Sequence, residues 1–251
     1  MKHLLSNGNL AVLAQLAGSH ALLAFDFDGT LAPIVAARGR AQMRARTRKL
    51  FARVCELYPC AVISGRSRDD VLARVTGADV KYVIGNHGLE PGYDLASFER
   101  VVSAVTSQLE AALAVHRGVE IENKRYSLAV HFRNARLKNR TRLAIEAAIH
   151  ALPEPMRIIP GKLVVNAVPA RAPHKGDALQ AIRAEEAADT ALYVGDDVTD
   201  EDVFELDEPG RLFSIRVGKT RRSAAAYYLR DQPEIDALLS RLQALRASGR
   251  P

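Results

Sequence analysis

Short, continuously apolar runs alternate with stretches whose apolar residues recur at helical spacing. ALLAFD (21–26), PCAVIS (59–64), VKYVIGN (80–86) and ALYVG (191–195) lack polar/apolar alternation. That pattern predicts strands buried on both faces of a parallel sheet. Helices are predicted over 44–57, from Ser67 onward, where Ser67 and Asp70 have capping-box spacing, and over 175–187. The stretch before residue 21, interrupted by Asn7, Gly8, Asn9 and Gln15, predicts a helix rather than a signal peptide. RLFSIRV (211–217) and YYLRD (227–231) predict further strands, and Pro233 starts a last helix.

The middle of the chain has a different pattern. Residues 97–116 and 136–152 have helical spacing, whereas 127–133 alternates strictly. Leu128, Val130 and Phe132 fall on one face of that strand, and Ala129, His131 and Arg133 on the other. MRIIPGKLVVNAVP (156–169) predicts two short strands joined at Pro160-Gly161. Half-wet strands with helices predict an α+β module inserted into an α/β core with a mostly parallel sheet. The expected division is a discontinuous core, 1–90 and 170–251, around an insertion over 91–169.

Composition narrows this picture. A chain of 251 residues that is 48% hydrophobic can bury a core, which excludes global disorder. No apolar run approaches the ~20 residues that span a bilayer, so no membrane partner is expected. Cys55 and Cys60 make neither a disulfide framework nor a zinc site by themselves, and a reducing, cytoplasmic setting is expected. The net charge of +6 is spread along the chain. Its densest stretch, Arg38, Arg40, Arg44, Arg46, Arg48, Lys49 and Arg53, accompanies no recognition motif, so no nucleic-acid partner is expected. A modest positive field suits a phosphorylated small molecule.

The candidate chemistry sits at strand ends. Asp26-Phe27-Asp28-Gly29-Thr30 closes the first buried run, and Gly195-Asp196-Asp197-Val198-Thr199-Asp200 closes another. Open α/β sheets bind ligands at these carboxyl ends. Two acid clusters facing one spot repel by up to ~4 kcal/mol per close pair at an effective dielectric near 20. A divalent cation relieves that repulsion, and all-oxygen donors favour Mg²⁺. Ser64-Gly65-Arg66, ahead of a helix N-terminus, has the hydroxyl and N–H groups to hold phosphoryl oxygens. Lys175, opening a helix, has the charge to neutralise a phosphate and a nucleophile together.

Asp-x-Asp-Gly-Thr, a strand-end Ser, a helix-start Lys and Gly-Asp-Asp-x-x-x-Asp, in that order, resemble the haloacid dehalogenase-like (HAD) phosphotransferases. The long interval from Ser64 to Lys175 resembles their class with a large inserted cap, the C2 type. More narrowly, DFDGTLAPI (26–34), SGR (64–66), GNHGLE (85–90), ENKRYSLAVHFR (122–133) and GDDVTDEDVF (195–204) resemble the trehalose-6-phosphate phosphatase family. The resemblance implies a Rossmann-like core and a Mg²⁺-dependent phosphatase, the last step of trehalose biosynthesis, functionally paired with a trehalose-phosphate synthase. It implies Asp26 as nucleophile and Asp28 as acid, then base. It gives Mg²⁺ held by Asp26, the Asp28 carbonyl and Asp196, with Asp200 behind them and Ser64 and Lys175 on the phosphoryl oxygens. Gly65, Arg66, His87, Lys124, His131, Arg133, Lys162 and Asn166 are the expected substrate contacts. The family pattern V-x-E-x-[RK]-P reads Val164-Val165-Asn166-Ala167-Val168-Pro169 here, with a neutral Asn166 in the place of Glu. The same chemistry on sucrose 6-phosphate or a glycosyl phosphoglycerate is the alternative.

Overall fold

The computed structural model describes residues 1–35, 37–161, 163–206 and 208–248. Its strands, in chain order, are β1 (Lys2–His3), β2 (Ala21–Phe25), β3 (Cys60–Ile63), β4 (Tyr82–Ile84), β5 (Glu120–Asn123), β6 (Leu128–His131), β7 (Met156–Gly161), β8 (Val164–Pro169), β9 (Thr190–Gly195), β10 (Leu212–Val217) and β11 (Tyr227–Leu229). The α-helices are α1 (Ala11–Ala17), α2 (Ala45–Cys55), α3 (Arg68–Arg74), α4 (Leu95–Leu113), α5 (Lys138–His150), α6 (Lys175–Glu185), α7 (Glu201–Phe204) and α8 (Ile235–Ser248). They divide into two units, Met1–Pro91 with the chain from Pro173 on, and Gly92–Ala172.

The first unit holds a seven-stranded sheet in the order β1-β11-β10-β9-β2-β3-β4. Every neighbouring pair is parallel, as the continuous apolar runs predict. Period-2 alternation sorts the side chains of β2 between two apolar layers. Leu23 and Phe25 pack with Phe51 and Val54 of α2 and Leu238 and Leu242 of α8. Leu22 and Ala24 pack on the other face with Leu179 and Ile182 of α6 and Phe204 of α7. Both faces are covered, which is why these strands read as continuous apolar runs. The chain steps outward from β2 through β3 to β4, then returns beside β2 as β9. This reversal places a crevice at the carboxyl ends of β2 and β9.

The two points where the first unit is interrupted lie together. Gly88 has φ +119°, and a Cβ on it would stand 2.6 Å from the His174 carbonyl oxygen. Side-chain-bearing residues do not fit there.

The second unit is a four-stranded antiparallel sheet, β5-β6-β8-β7, with α4 and α5. Val102, Val105 and Leu109 of α4 and Ile145 and Ile149 of α5 cover Leu128, Val130, Val165 and Ala167. The register pairs Glu120 with His131, Glu122 with Ala129, and Ala129 with Asn166, all on the opposite face. This α+β module bears out the alternation seen over 127–133. Strand β5 lacks a signature because EIEN has one apolar residue, and the two-residue β1 is too short to have one. Among the described residues, no helix is long and apolar enough to cross a membrane.

Much of the basic stretch is engaged within its own unit. Arg44 pairs with Asp236 at 3.3 Å, Arg53 with Glu56, and Arg48 donates to the carbonyls of Arg74 and Thr76. Cys55 and Cys60 are buried free thiols.

Candidate active site

The sheet register brings the two acidic turns together. Phe25 pairs with Val194 across β2 and β9, and the Asp26 N–H donates to the Val194 carbonyl at 2.8 Å. β2 ends at Phe25 and β9 one residue after Val194, so their following turns share one edge. Gly29 reverses the chain with φ +81°, and a Cβ there would stand 2.1 Å from Asp196 Oδ2. Glycine is therefore needed for its backbone and for the carboxylate that lies against it. Asp26, Asp196 and Asp200 each offer an oxygen within 4.8 Å of the others, a group able to hold a metal ion. The carboxylate of Asp28 is not part of this group.

Lys175 is the first residue of α6, whose cap is a reciprocal pair between His174 and Asp177. Its Nζ donates to Asp26 Oδ1 at 2.8 Å and to Asp200 Oδ1 at 2.7 Å, with all three side chains buried. Asp200 Oδ1 also accepts from Tyr193 Oη at 2.6 Å, while Oδ2 accepts from the N–H groups of Asp196 and Asp197 at 2.8 Å each. Asp200 thus organises the acidic turn from below. Asp196 Oδ1 is buried and has no hydrogen-bond partner among the described residues.

Burial pushes the Asp26 carboxyl up to about 7; Lys175 opposes the rise and Asp200 adds to it. Burial and the charges of Asp26, Asp200 and Asp197 push Asp196 up to about 8. Asp200 goes the other way: burial alone would raise it, but Lys175 and its hydrogen bonds hold it below the ordinary value. Lys175 is raised by the two carboxylates despite its burial. One internal cation is too little for three acids, and the shortfall falls on Asp26 and Asp196.

Asp28 faces a different partner. The Arg66 guanidinium grips it with two parallel bonds, Nε to Oδ2 at 2.6 Å and Nη2 to Oδ1 at 2.7 Å. Arg66 Nη1 donates to Asp70 Oδ2 at 2.7 Å. Ser64 is buried at the end of β3, and its Oγ accepts from the Arg66 N–H at 3.3 Å. The imidazole of His87 lies against Gly65, where a Cβ would meet it at 2.4 Å. The His87 N–H donates to the Ser64 carbonyl at 2.9 Å and that of Asn86 to the Arg66 carbonyl at 2.7 Å. The GNHGLE turn therefore braces the Ser64–Arg66 turn.

In the second unit, His131, Asn166 and Glu122 lie on the open face of the sheet. His131 Nε2 is 3.0 Å from Glu122 Oε2, and Lys124 Nζ is 3.9 Å from the same oxygen. Asn166 Nδ2 donates to the Ile159 carbonyl at 3.4 Å. Arg133 lines a polar pocket of about 170 Å³ with Gly118, Glu120, His131, Asn134 and Leu163. Lys162 lies outside the described residues.

Sequence reasoning missed Tyr193, Glu122 and Arg216. The signal for Tyr193 was a tyrosine in an otherwise aliphatic buried strand, whose hydroxyl needs a partner. Glu122 stood in a segment without strand periodicity. Arg216, paired with Gly195 across β9 and β10, donates to the carbonyls of Asp196 and Asp197 and to Glu201 at 2.7 Å. No local pattern marks it.

A buried carboxylate bound to a helix-borne lysine, facing a second acidic turn across a parallel sheet, is consistent with the haloacid dehalogenase-like class of phosphohydrolases. Within that class, residues 24–233 match the trehalose-phosphatase family, and the chain belongs to it. It is 31% identical to a trehalose 6-phosphate phosphatase of Zea mays over 96% of this chain and 74% of that one. A trehalose-phosphate phosphatase of Mycobacterium avium is also 31% identical, over 87% of this chain and 60% of that one. The C-terminal domain of the C. albicans trehalose-6-phosphate phosphatase shares the fold, with TM-score 0.77 and 22% identity over 94% of this chain and 97% of that one.

Proposed function

We propose that the protein hydrolyses trehalose 6-phosphate to trehalose and phosphate through an aspartyl phosphate on Asp26, with Mg²⁺ as its cation. The observation that carries this reading is the convergence of Asp26, Asp196, Asp200 and Lys175 in a chain of this family. The donor set fits a hard divalent ion: it is all oxygen, it includes the partnerless Asp196 Oδ1, and its acids outnumber the internal cation. Asp26, Asp196 and the Asp28 carbonyl would hold the ion, with Asp200 behind them. Bound there, Mg²⁺ supplies positive charge that keeps Asp26 ionised and offsets the charge on the phosphoryl oxygens.

A carboxylate oxygen of Asp26 attacks phosphorus in line, and the bond from phosphorus to the sugar oxygen breaks. Asp28, protonated on one oxygen and held by Arg66 through the other, gives that proton to the departing oxygen. It then takes a proton from the water that attacks the aspartyl phosphate, which releases phosphate and restores Asp26. Ser64, with the Gly65 and Arg66 N–H groups, and Lys175 hold the phosphoryl oxygens. Within the first unit, Arg66 and His87 are the sugar-reading side chains; within the second, Lys124, His131, Arg133 and Asn166 are, joined by Glu122. The neutral Asn166 favours one second reading, the same chemistry on sucrose 6-phosphate or a glycosyl phosphoglycerate. A cytoplasmic setting and a trehalose-phosphate synthase as supplier of substrate belong to the main reading.

Asp26→Asn tests the chemistry by phosphate release in Mg²⁺. The expected result is a folded protein with activity reduced on the order of 10⁴-fold or more. Retained activity removes the nucleophile. Substrate profiling tests the sugar: wild type that turns over trehalose 6-phosphate no faster than glucose 6-phosphate overturns the narrow assignment.

A further inference from the structure

The acid that serves the leaving group sits at the end of a charged chain that reaches well beyond the site. Arg66 has a side chain only 5% exposed and uses opposite edges of its guanidinium, one for Asp28 and one for Asp70. The guanidinium is planar and rigid, so the position of the second carboxylate fixes the plane in which the first is held. Asp70 is itself fixed. Its Oδ1 accepts from Arg74 Nε at 3.1 Å and Nη2 at 2.9 Å. Arg74 in turn donates to the carbonyls of Gly39, at 3.2 Å, and Ala41. Four alternating charges thus connect the turn after β2 to the first helical turn after β3 and to the 39–41 segment. The Arg66 guanidinium also lies 5.7 Å above the ring of Phe27, which is fully buried. Nothing here can slide far without breaking a paired bond.

We propose that Asp70 is a positioning residue for departure of the sugar: by holding Arg66 it sets the orientation in which Asp28 meets the leaving oxygen. Arg74 anchors the far end. This rests on the reading of Asp28 as the acid. The positioning role is separable from the part Asp70 plays in starting α3. The helix cap uses the Asp70 backbone N–H, which donates to Ser67 Oγ at 3.3 Å, whereas the brace uses the side chain. Asp70→Asn leaves the cap in place and removes the charge that Arg66 and Arg74 share.

The readout is a leaving-group comparison. A sugar alkoxide departs only if it is protonated, whereas p-nitrophenolate departs readily as an anion. kcat/KM reports steps up to that departure and is blind to the later hydrolysis of the aspartyl phosphate, where Asp28 also acts. Asp70→Asn should lower kcat/KM for trehalose 6-phosphate about 10–100-fold and for p-nitrophenyl phosphate less than about threefold. Asp28→Asn should show the same selectivity with a larger loss. In the double variant Asp70→Asn should add little, because it acts through Asp28. Arg74→Met serves as a second variant should Asp70→Asn unfold, as judged by its thermal transition. Selectivity in Asp28→Asn, but equal or negligible losses on both substrates in Asp70→Asn and Arg74→Met, would overturn the brace and leave the acid in place. An unselective Asp28→Asn overturns the acid reading and the brace with it.

Discussion

The two sheets of this protein use the same hydrogen bonds for opposite purposes. The parallel sheet has helices on both faces, and its chemistry is pushed to the carboxyl edge, where buried Asp26, Asp200 and Lys175 are locked by short bonds. The antiparallel sheet has helices on one face and leaves the other to Glu120, Glu122, His131 and Asn166. In the proposed reaction, the groups that move electrons are held where water is scarce and each pairing is strong, and the groups assigned to the sugar hydroxyls stand where they can exchange water for a ligand. Charge at the parallel edge is therefore a matter of folding energy, and charge on the open antiparallel face is not.

The sharpest way to break that contrast is Lys175→Met. It strands two buried carboxylates, and in cation-free buffer the loss should be about 3–5 kcal/mol, read from the urea midpoint. A loss below about 1 kcal/mol would mean that the edge is as tolerant as an open surface. The two faces of β6 offer a smaller and internal comparison. Leu128→Ala empties a site in the helix-covered layer and should cost about 2–4 kcal/mol. His131→Ala, on the same strand but facing out, should stay within about 0.5 kcal/mol while raising KM for trehalose 6-phosphate about tenfold. If the two variants are equally destabilised, the open face is structural.

The smallest expected effect concerns pH. Asp26 and Asp196 are raised to about 7 and about 8, so between the ordinary carboxylate range and those values the folded protein holds more protons than the unfolded chain. Stability of the cation-free protein then falls as pH rises through that window. Asp200, shifted down, and Lys175, shifted up, act below and above it. A bound divalent ion offsets the charge, so the Tm gain with Mg²⁺ should be a few degrees larger near pH 8 than near pH 5. A gain that is constant, or larger at low pH, would contradict the crowded-acid account of the edge.

The same contrast explains what was legible beforehand. Strands buried on both faces announce themselves as apolar runs, so β2, β3, β4 and β9 were readable. With them came the strand-end placement of Asp26, Ser64 and Asp196, since a motif's position follows from its strand. β5 was not readable, because EIEN has a single apolar residue and its own Glu122 carries no local mark. Arg216 joins the site only through sheet register, across from Gly195, and register between distant strands leaves no trace within a window of sequence. The fork of Arg66 on Asp28 and Asp70 is likewise a property of three segments meeting. The sequence could place all three residues in the motif region, but not the bonds among them.

The contact of Gly88 with the His174 carbonyl bears on how such a chain can diversify. The ends of the interruption are already adjacent, so whatever is spliced between them needs only to leave and return at one doorway. Replacement of residues 92–172 by another folded insert, or by a short bridge, would ask nothing new of the catalytic scaffold's routing. Changes of clientele in this lineage can therefore proceed by exchanging a module, while the machinery that cleaves phosphate is inherited intact.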